Sequence, residues 1–306
     1  MLPYYINKIF RKLNIIIIFR KGNAIGEIVY LTSLINCLYS ENSKYKIIIL
    51  SKYPEIFFHN KKVFLNLKIY KNFFYRLVFL VFFRIQGRNI INFNHDITTD
   101  EDTFFLKNYP KNTHLALVVR KYKLNIQSNF IKNELFFSNE EIINFEKKLL
   151  LPSEYAVLNS QSKLTYAKNK DWGYKNMQNV INLTPKIKWV QVGLSSEPLL
   201  ENTIHKLDLS IREMAYIIFR SKFVLTLEGL YNHLASCFDK KTFIILSGML
   251  PAEASYYKNN VTISKFEDLD CAPCYKLNNC VKSEKFCTTR ITSDYVANVI
   301  NKDLNL

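Results

Sequence analysis

Glu228-Gly229 interrupts the chain between an apolar run, Val224 to Leu227, and a stretch of helical periodicity from His233 to Phe238. A polar turn between a strand and a helix leaves helix-start N–H groups open, and these carry the positive end of the helix dipole, which suits phosphate. A carboxylate beside them accepts hydrogen bonds from ribose or sugar hydroxyls. The combination points to a nucleotide-linked ligand, with Tyr231 and Asn232 as further contacts. His233, one turn into the helix, reads as a phosphate contact or as an ordering group for the loop. It is not assigned as a base, because a lone histidine is more often a satisfied structural side chain.

Four further segments carry polar groups near expected strand ends. The loop Asn159 to Lys163, with Ser160 and Gln161, and the group Lys168 to Trp172, with Lys170, offer hydroxyl, amide and ammonium donors for phosphate oxygens. Gly22-Asn23-Ala24-Ile25-Gly26-Glu27 follows the first strand, and its Glu27 stands where an acid in a first helical turn complements the dipole. Gly22, Asn23 and Gly26 make this a phosphate or acceptor loop, although it lacks the G-x-G-x-x-G spacing. Ser247-Gly248-Met249 follows the next strand after the Glu228-Gly229 turn, where Gly248 either closes the same side of the ligand cleft or simply ends the strand.

Cys271, Cys274, Cys280 and Cys287 stand in C-x2-C-x5-C-x6-C spacing, with Cys37 and Cys237 in apolar surroundings elsewhere. Four soft sulfurs in one loop suit structural Zn or Fe, and in a reducing compartment that reading outranks disulfides. Reduced free thiols or a redox pair are the alternative. No D-x-D pair stands at a strand end to hold a catalytic metal, so no cofactor is expected for catalysis.

These groups need elements to hold them. Apolar runs at Asn14–Phe19, Tyr45–Leu50, Asn89–Phe93 and Leu115–Val119 alternate with helical spacing at Ile25–Leu38, which implies βαβ units. A second cycle has strands at Tyr155–Leu158 and Lys188–Val192 and helices at Tyr174–Leu183 and Ile211–Arg220. The charged helical segment Asn139–Leu151 ends at Pro152, which puts the boundary between domains 1–150 and 151–306. Two open α/β domains bind ligands at the carboxyl ends of their strands.

The chain of 306 residues, 48% hydrophobic and 14% aromatic, folds around a substantial core. Its net charge of +16 is uneven, with 23 basic and 11 acidic residues in 1–150 against 19 and 15 in the remainder. A basic first half draws anionic headgroups, phosphorylated glycans or nucleic acid, or is simply a lysine-rich solvated surface. No targeting segment stands out, and Leu77–Phe83 is far shorter than the ~20 residues that span a bilayer. A cytoplasmic protein is expected, with Phe73–Ile85 either a buried helix or a peripheral contact with an anionic membrane at its inner face.

Asp208-Leu-Ser-Ile-Arg-Glu-Met-Ala, then the strand, then Glu228-Gly229 with His233-Leu234-Ala235, resembles the donor-site signature of glycosyltransferase family 9, the ADP-heptose:glycan heptosyltransferases and their relatives. The likeness is to the subgroup whose turn reads Glu-Gly-Gly-x-x-His-Leu-Ala, from which this chain departs at Leu230. The resemblance implies a GT-B fold, two Rossmann-like parallel-sheet domains facing a cleft, with the acceptor on the first and the nucleotide-sugar on the second. It implies metal-independent inverting transfer of a heptose-like sugar, ADP-linked, to a glycan or other hydroxyl. Gly26-Glu27 matches the family's Gly-Asp pair with Glu in place of Asp, making Glu27 the catalytic base. Lys170-Asp171-Trp172 matches its Lys-x-Trp pattern, making Lys170 a diphosphate contact. Autotransporter heptosyltransferases in the family carry a comparable cysteine cluster that binds iron. The competing readings are a catalytically degenerate nucleotide or glycan binder and a basic nucleic-acid-binding protein with a zinc knuckle. The cysteine spacing lacks the knuckle's histidine and no aromatic RNA-binding motif occurs, so no nucleic-acid partner is expected.

Overall fold

The computed structural model describes residues 2–20, 24–69, 89–93, 132–165, 167–255, 257–267 and 269–305. These form two compact units, Met1–Ser138 and Asn139–Leu306.

The first unit begins with helix α1, Leu2–Lys12, a segment in which no element was expected. Asn14, at φ 54°, turns the chain from α1 into strand β1, Ile15–Phe19, a run of β-branched residues buried nearly throughout. Helix α2, Ile25–Glu41, follows, and Ile28 to Leu38 are buried on every face. Strands β2, Lys46–Ser51, β3, Val63–Lys68, and β4, Ile90–Asn92, join β1 in one sheet of order β3-β2-β1-β4, all parallel, with β3 paired to β2. The expected strand at Leu115–Val119 and the expected membrane contact at Phe73–Ile85 lie outside the described residues. Among the described residues no helix is long and apolar enough to cross a membrane.

The second unit starts earlier than Pro152 suggests. Helix α3, Asn139–Leu149, packs on helix α5, Ile211–Arg220. Arg212 donates to both carboxylate oxygens of Glu141 at 2.6 and 2.8 Å, Lys148 pairs with Glu213 at 2.6 Å, and the Phe145 and Tyr216 rings meet at 5.3 Å. These contacts carry α3 with the second unit, so the division falls after Ser138 and not after residue 150.

Between these helices lie β5, Ala156–Asn159, helix α4, Tyr174–Leu183, β6, Trp189–Gly193, and β7, Thr203–Leu207. After α5 come β8, Phe223–Leu227, helix α6, Leu230–Ser236, β9, Lys241–Ile245, and β10, Asn260–Ile263. Short helix α7, Phe286–Thr289, and helix α8, Ser293–Leu304, close the chain. Helix α5 starts where expected because Ser210 and Glu213 form a capping box, each side chain accepting from the other's backbone N–H. The six strands are parallel in the order β10-β9-β8-β5-β6-β7. Counted from β5 this is the Rossmann order 3-2-1-4-5-6, whose strand direction of travel reverses between β5 and β8. The core on one face centres on Trp189, Phe223 and Phe243, whose rings meet edge to face at 5.5 Å.

Candidate functional site

In an open parallel sheet the helices leaving the two strands at the reversal point go to opposite faces, and a crevice opens at the strands' carboxyl ends. In the second unit those ends are Asn159 and Leu227. Thr226 Oγ1 donates to Asn159 Oδ1 at 2.6 Å, tying the two strands, and Asn159 Nδ2 donates to the Gln161 carbonyl at 2.9 Å, which bends the outgoing loop. Ser160 is fully buried. Its hydroxyl donates to Glu197 Oε2 at 3.1 Å.

The loop from β5 returns through a single turn, Lys168–Lys170, fixed by the Ser162 N–H donating to Asp171 Oδ1 at 3.0 Å. That turn brings Lys170 Nζ to 3.0 Å from Glu228 Oε1. The Glu228 side chain is 2% exposed and that of Lys170 20%. The ammonium lies off the hydrogen-bonding direction, and Glu228 Oε1 has no hydrogen-bond partner among the described residues. A buried carboxylate oxygen with open acceptor capacity beside a partly exposed ammonium can take a hydroxyl and an anion together.

Gly229 caps α6 at φ 149° and ψ −150°. Leu230 is already the first helical residue, so the departure from a second glycine costs no strain: the unusual φ is confined to Gly229. At seven residues α6 is shorter than the helix the turn suggested and starts before His233, so its dipole is small and Lys170 supplies most of the local positive charge.

Burial pushes the Tyr231 phenol well above its ordinary value, and the Glu197 charge adds to this. Asn232 is buried and donates to the Ser255 carbonyl at 2.7 Å. His233 Nδ1 lies 2.6 Å from the Tyr257 hydroxyl, with the rings edge to face, which fits an ordering role. Gly248 is not with this group. A Cβ there would sit 3.1 Å from those of Ala272 and Cys287, so the residue is small to admit the cysteine loop.

Glu197, which the sequence reading omitted, follows β6 and reaches the group because β6 neighbours β5. A Cβ at Gly193 would overlap its carboxylate, so that glycine makes room for it. The available signal was an acid four residues beyond a glycine at a strand end, which points inward only once the strand order is known. Burial holds the Glu197 carboxyl above the usual range, with the Ser160 and Leu194 hydrogen bonds opposing. A carboxyl whose folded-state value exceeds its unfolded one binds its proton more tightly in the native state. Its contribution is full below the unfolded value and is lost as pH rises through the folded one. Glu197→Gln is therefore expected to raise Tm over wild type at about pH 7 and to leave it level at about pH 4. An equal gain at both pH values in thermal melts would show that ionisation plays no part.

The first unit has the same reversal, between β1 and β4. Arg20, 4% exposed, follows β1: its N–H donates to the Leu50 carbonyl at 2.9 Å and its Nη1 to the Phe93 carbonyl at 3.0 Å. Its Nη2 pairs with Glu27 Oε2. Glu27, in the first turn of α2 with Gly26 beside it, is thus held at the strand ends with its side chain a quarter exposed. Gly22 and Asn23 lie outside the described residues.

Cys271, Cys274, Cys280 and Cys287 line one pocket with Asn169, Gly248 and Met249. Burial first, then the three neighbouring cysteines, push the Cys274 thiol up. Among the described residues no three His, Cys, Asp or Glu side chains are gathered closely enough to hold a metal as they stand.

No protein-family model matches the chain, and no curated protein matches it in sequence. Solved structures match its fold. A glycosyl transferase of family 9 from Veillonella parvula is 12% identical, over 94% of this chain and 97% of that one, with a TM-score of 0.67. ADP-heptose LPS heptosyltransferase II of E. coli is 12% identical over 95% and 99%, also at 0.67. The iron-containing dodecameric glycosyltransferase TibC of enterotoxigenic E. coli is 13% identical over 95% and 78%, at 0.66. The chain has the two-domain α/β fold of these glycosyltransferases.

Proposed function

From that fold, we propose that the chain is a metal-independent, inverting glycosyltransferase that moves a heptose-like sugar from an ADP-linked donor to a glycan or other hydroxyl. The observation that carries this is the Lys170–Glu228 pair at the strand reversal of the second sheet. Lys170 balances charge on the diphosphate, and Glu228 and Glu197 accept from sugar or ribose hydroxyls. As the anomeric C–O bond to the diphosphate breaks, its electron pair stays on the phosphate oxygen. Lys170 stabilises that charge more in the transition state than in the ground state. The acceptor oxygen forms the new bond on the opposite face, which inverts the centre, and its proton passes to the Glu27 carboxylate.

A ligand that binds only the folded state raises Tm, by an amount set by its concentration over its Kd. Nucleotides and nucleotide-sugars scanned by thermal shift are expected to give a rise with ADP and ADP-heptose and none with UDP or GDP. No rise with any of them would move the reading to a degenerate relative or to the nucleic-acid binder.

The four cysteines fit a structural Zn or Fe by donor chemistry, since they line one pocket and soft thiolates are the ligands these ions take. Such an ion would pin the loop and take no part in transfer. Protein purified without added metal is expected to hold about one ion per chain, lost in Cys271→Ser/Cys274→Ser. Elemental analysis that finds no metal in wild type would leave four reduced thiols.

A further inference from the structure

The turn that carries Lys170 is held by the cysteine loop. The Asn169 N–H donates to the Leu277 carbonyl at 3.0 Å and its side chain to the Lys276 carbonyl at 2.8 Å. The Lys168 N–H donates to Asn278 Oδ1 at 3.1 Å. Lys285 Nζ donates to the carbonyls of Lys168 and Asp171 at 3.3 and 3.2 Å. We propose that Asn169 is a positioning residue through which the four-cysteine loop sets Lys170 against Glu228, so that the state of the cysteines is felt at the nucleotide site. The proposal rests on the donor role of Lys170 given above.

Asn169 is 6% exposed, precedes Lys170 directly and itself lines the cysteine pocket. Residues 276–278 lie between Cys274 and Cys280, and Lys285 between Cys280 and Cys287, so both contacting segments are bounded by cysteines. On its other side the loop is tied to the segment that follows β9, the Cys274 and Tyr275 N–H groups donating to the Gly248 and Met249 carbonyls at 2.9 Å. Bringing the sulfurs together restricts a long segment, and releasing them returns conformational freedom to the groups that grip the turn. The Lys170 ammonium keeps its reach to Glu228 only while that turn is held.

The test uses the full chain, ADP as the probe and amide hydrogen exchange as an independent measurement. Asn169→Ala is expected to weaken ADP about tenfold, the worth of one buried hydrogen bond. Lys170→Met weakens it more, and the two together no further than Lys170→Met alone, because Asn169 acts through the lysine. In Cys271→Ser/Cys274→Ser the amides of residues 168–171 are expected to exchange about tenfold faster while Met177–Ile181 of α4 keep their protection. Should that variant lose α4 as well, Lys285→Met, which removes only the ammonium contacts, carries the same comparison. If wild type binds no ADP, the donor role falls, and the exchange data alone decide the coupling. Additive losses in ADP affinity, or unchanged exchange at 168–171, would overturn it.

Discussion

Glu27→Gln is expected to lower the rate of sugar transfer about 10²- to 10⁴-fold, the usual worth of a positioned general base. ADP affinity should stay at the wild-type value, because Glu27 is assigned to the acceptor hydroxyl and the nucleotide to Lys170 and Glu228. Gln keeps the volume and can still accept from Arg20, but it cannot take up the acceptor's proton. Glu27→Asp keeps the charge with a shorter reach, and it should lose less than Gln. One observation favours a competing reading: Glu27 is already engaged by a guanidinium that is 4% exposed. If the pair is only structural, Glu27→Gln unfolds at lower temperature and still transfers sugar at the wild-type rate, which initial-rate measurements well below the variant's Tm would reveal. A wild type that binds ADP and never turns over would mark the chain as a degenerate binder.

Lys170→Met should be the most damaging change in the second unit. It leaves the Glu228 carboxylate, 2% exposed, without its counter-charge, and breaking one side of a buried pair costs about 3 kcal/mol or more. The same change removes the cation from the departing diphosphate, worth about 10²- to 10³-fold in rate. Lys170→Met/Glu228→Gln separates the two effects. Removing both charges should restore most of the stability in a denaturant melt, while ADP binding stays weak. Recovery of ADP affinity in the double variant would mean that the lysine serves only to neutralise Glu228. A single variant as stable as wild type would mean that solvent, not Lys170, compensates the carboxylate.

Local signals made much of the second unit legible. Helices at Tyr174–Leu183 and Ile211–Arg220 lie where periodicity placed them, and the break at Glu228-Gly229 ends β8 as its composition required. What escaped depends on distant partners. Strand β3 reads Val-Phe-Leu-Asn-Leu-Lys and, among the described residues, sits at a sheet edge with Phe64, Leu65 and Leu67 exposed, so its pattern has no buried face to announce it. Strand β7 is an edge strand too. Glu197 enters the site through strand order, Gly248 is small because of a loop more than twenty residues onward, and α3 joins the second unit through ion pairs with α5. None of these neighbours is near in sequence.

The break at Gly229 is closed to other residues by handedness and not by bulk. Among the described residues, its two chain neighbours aside, no atom lies within 4 Å of where a Cβ would stand, yet φ 149° with ψ −150° is a conformation L side chains rarely adopt. Its mirror image, φ −149° with ψ 150°, falls in the broad β region that an L-residue occupies at ease. In torsion alone, then, the position is suited to a D-amino acid: a semisynthetic chain with D-alanine at 229 should keep the turn that L-alanine strains, a difference that melting the two chains side by side would show or refute.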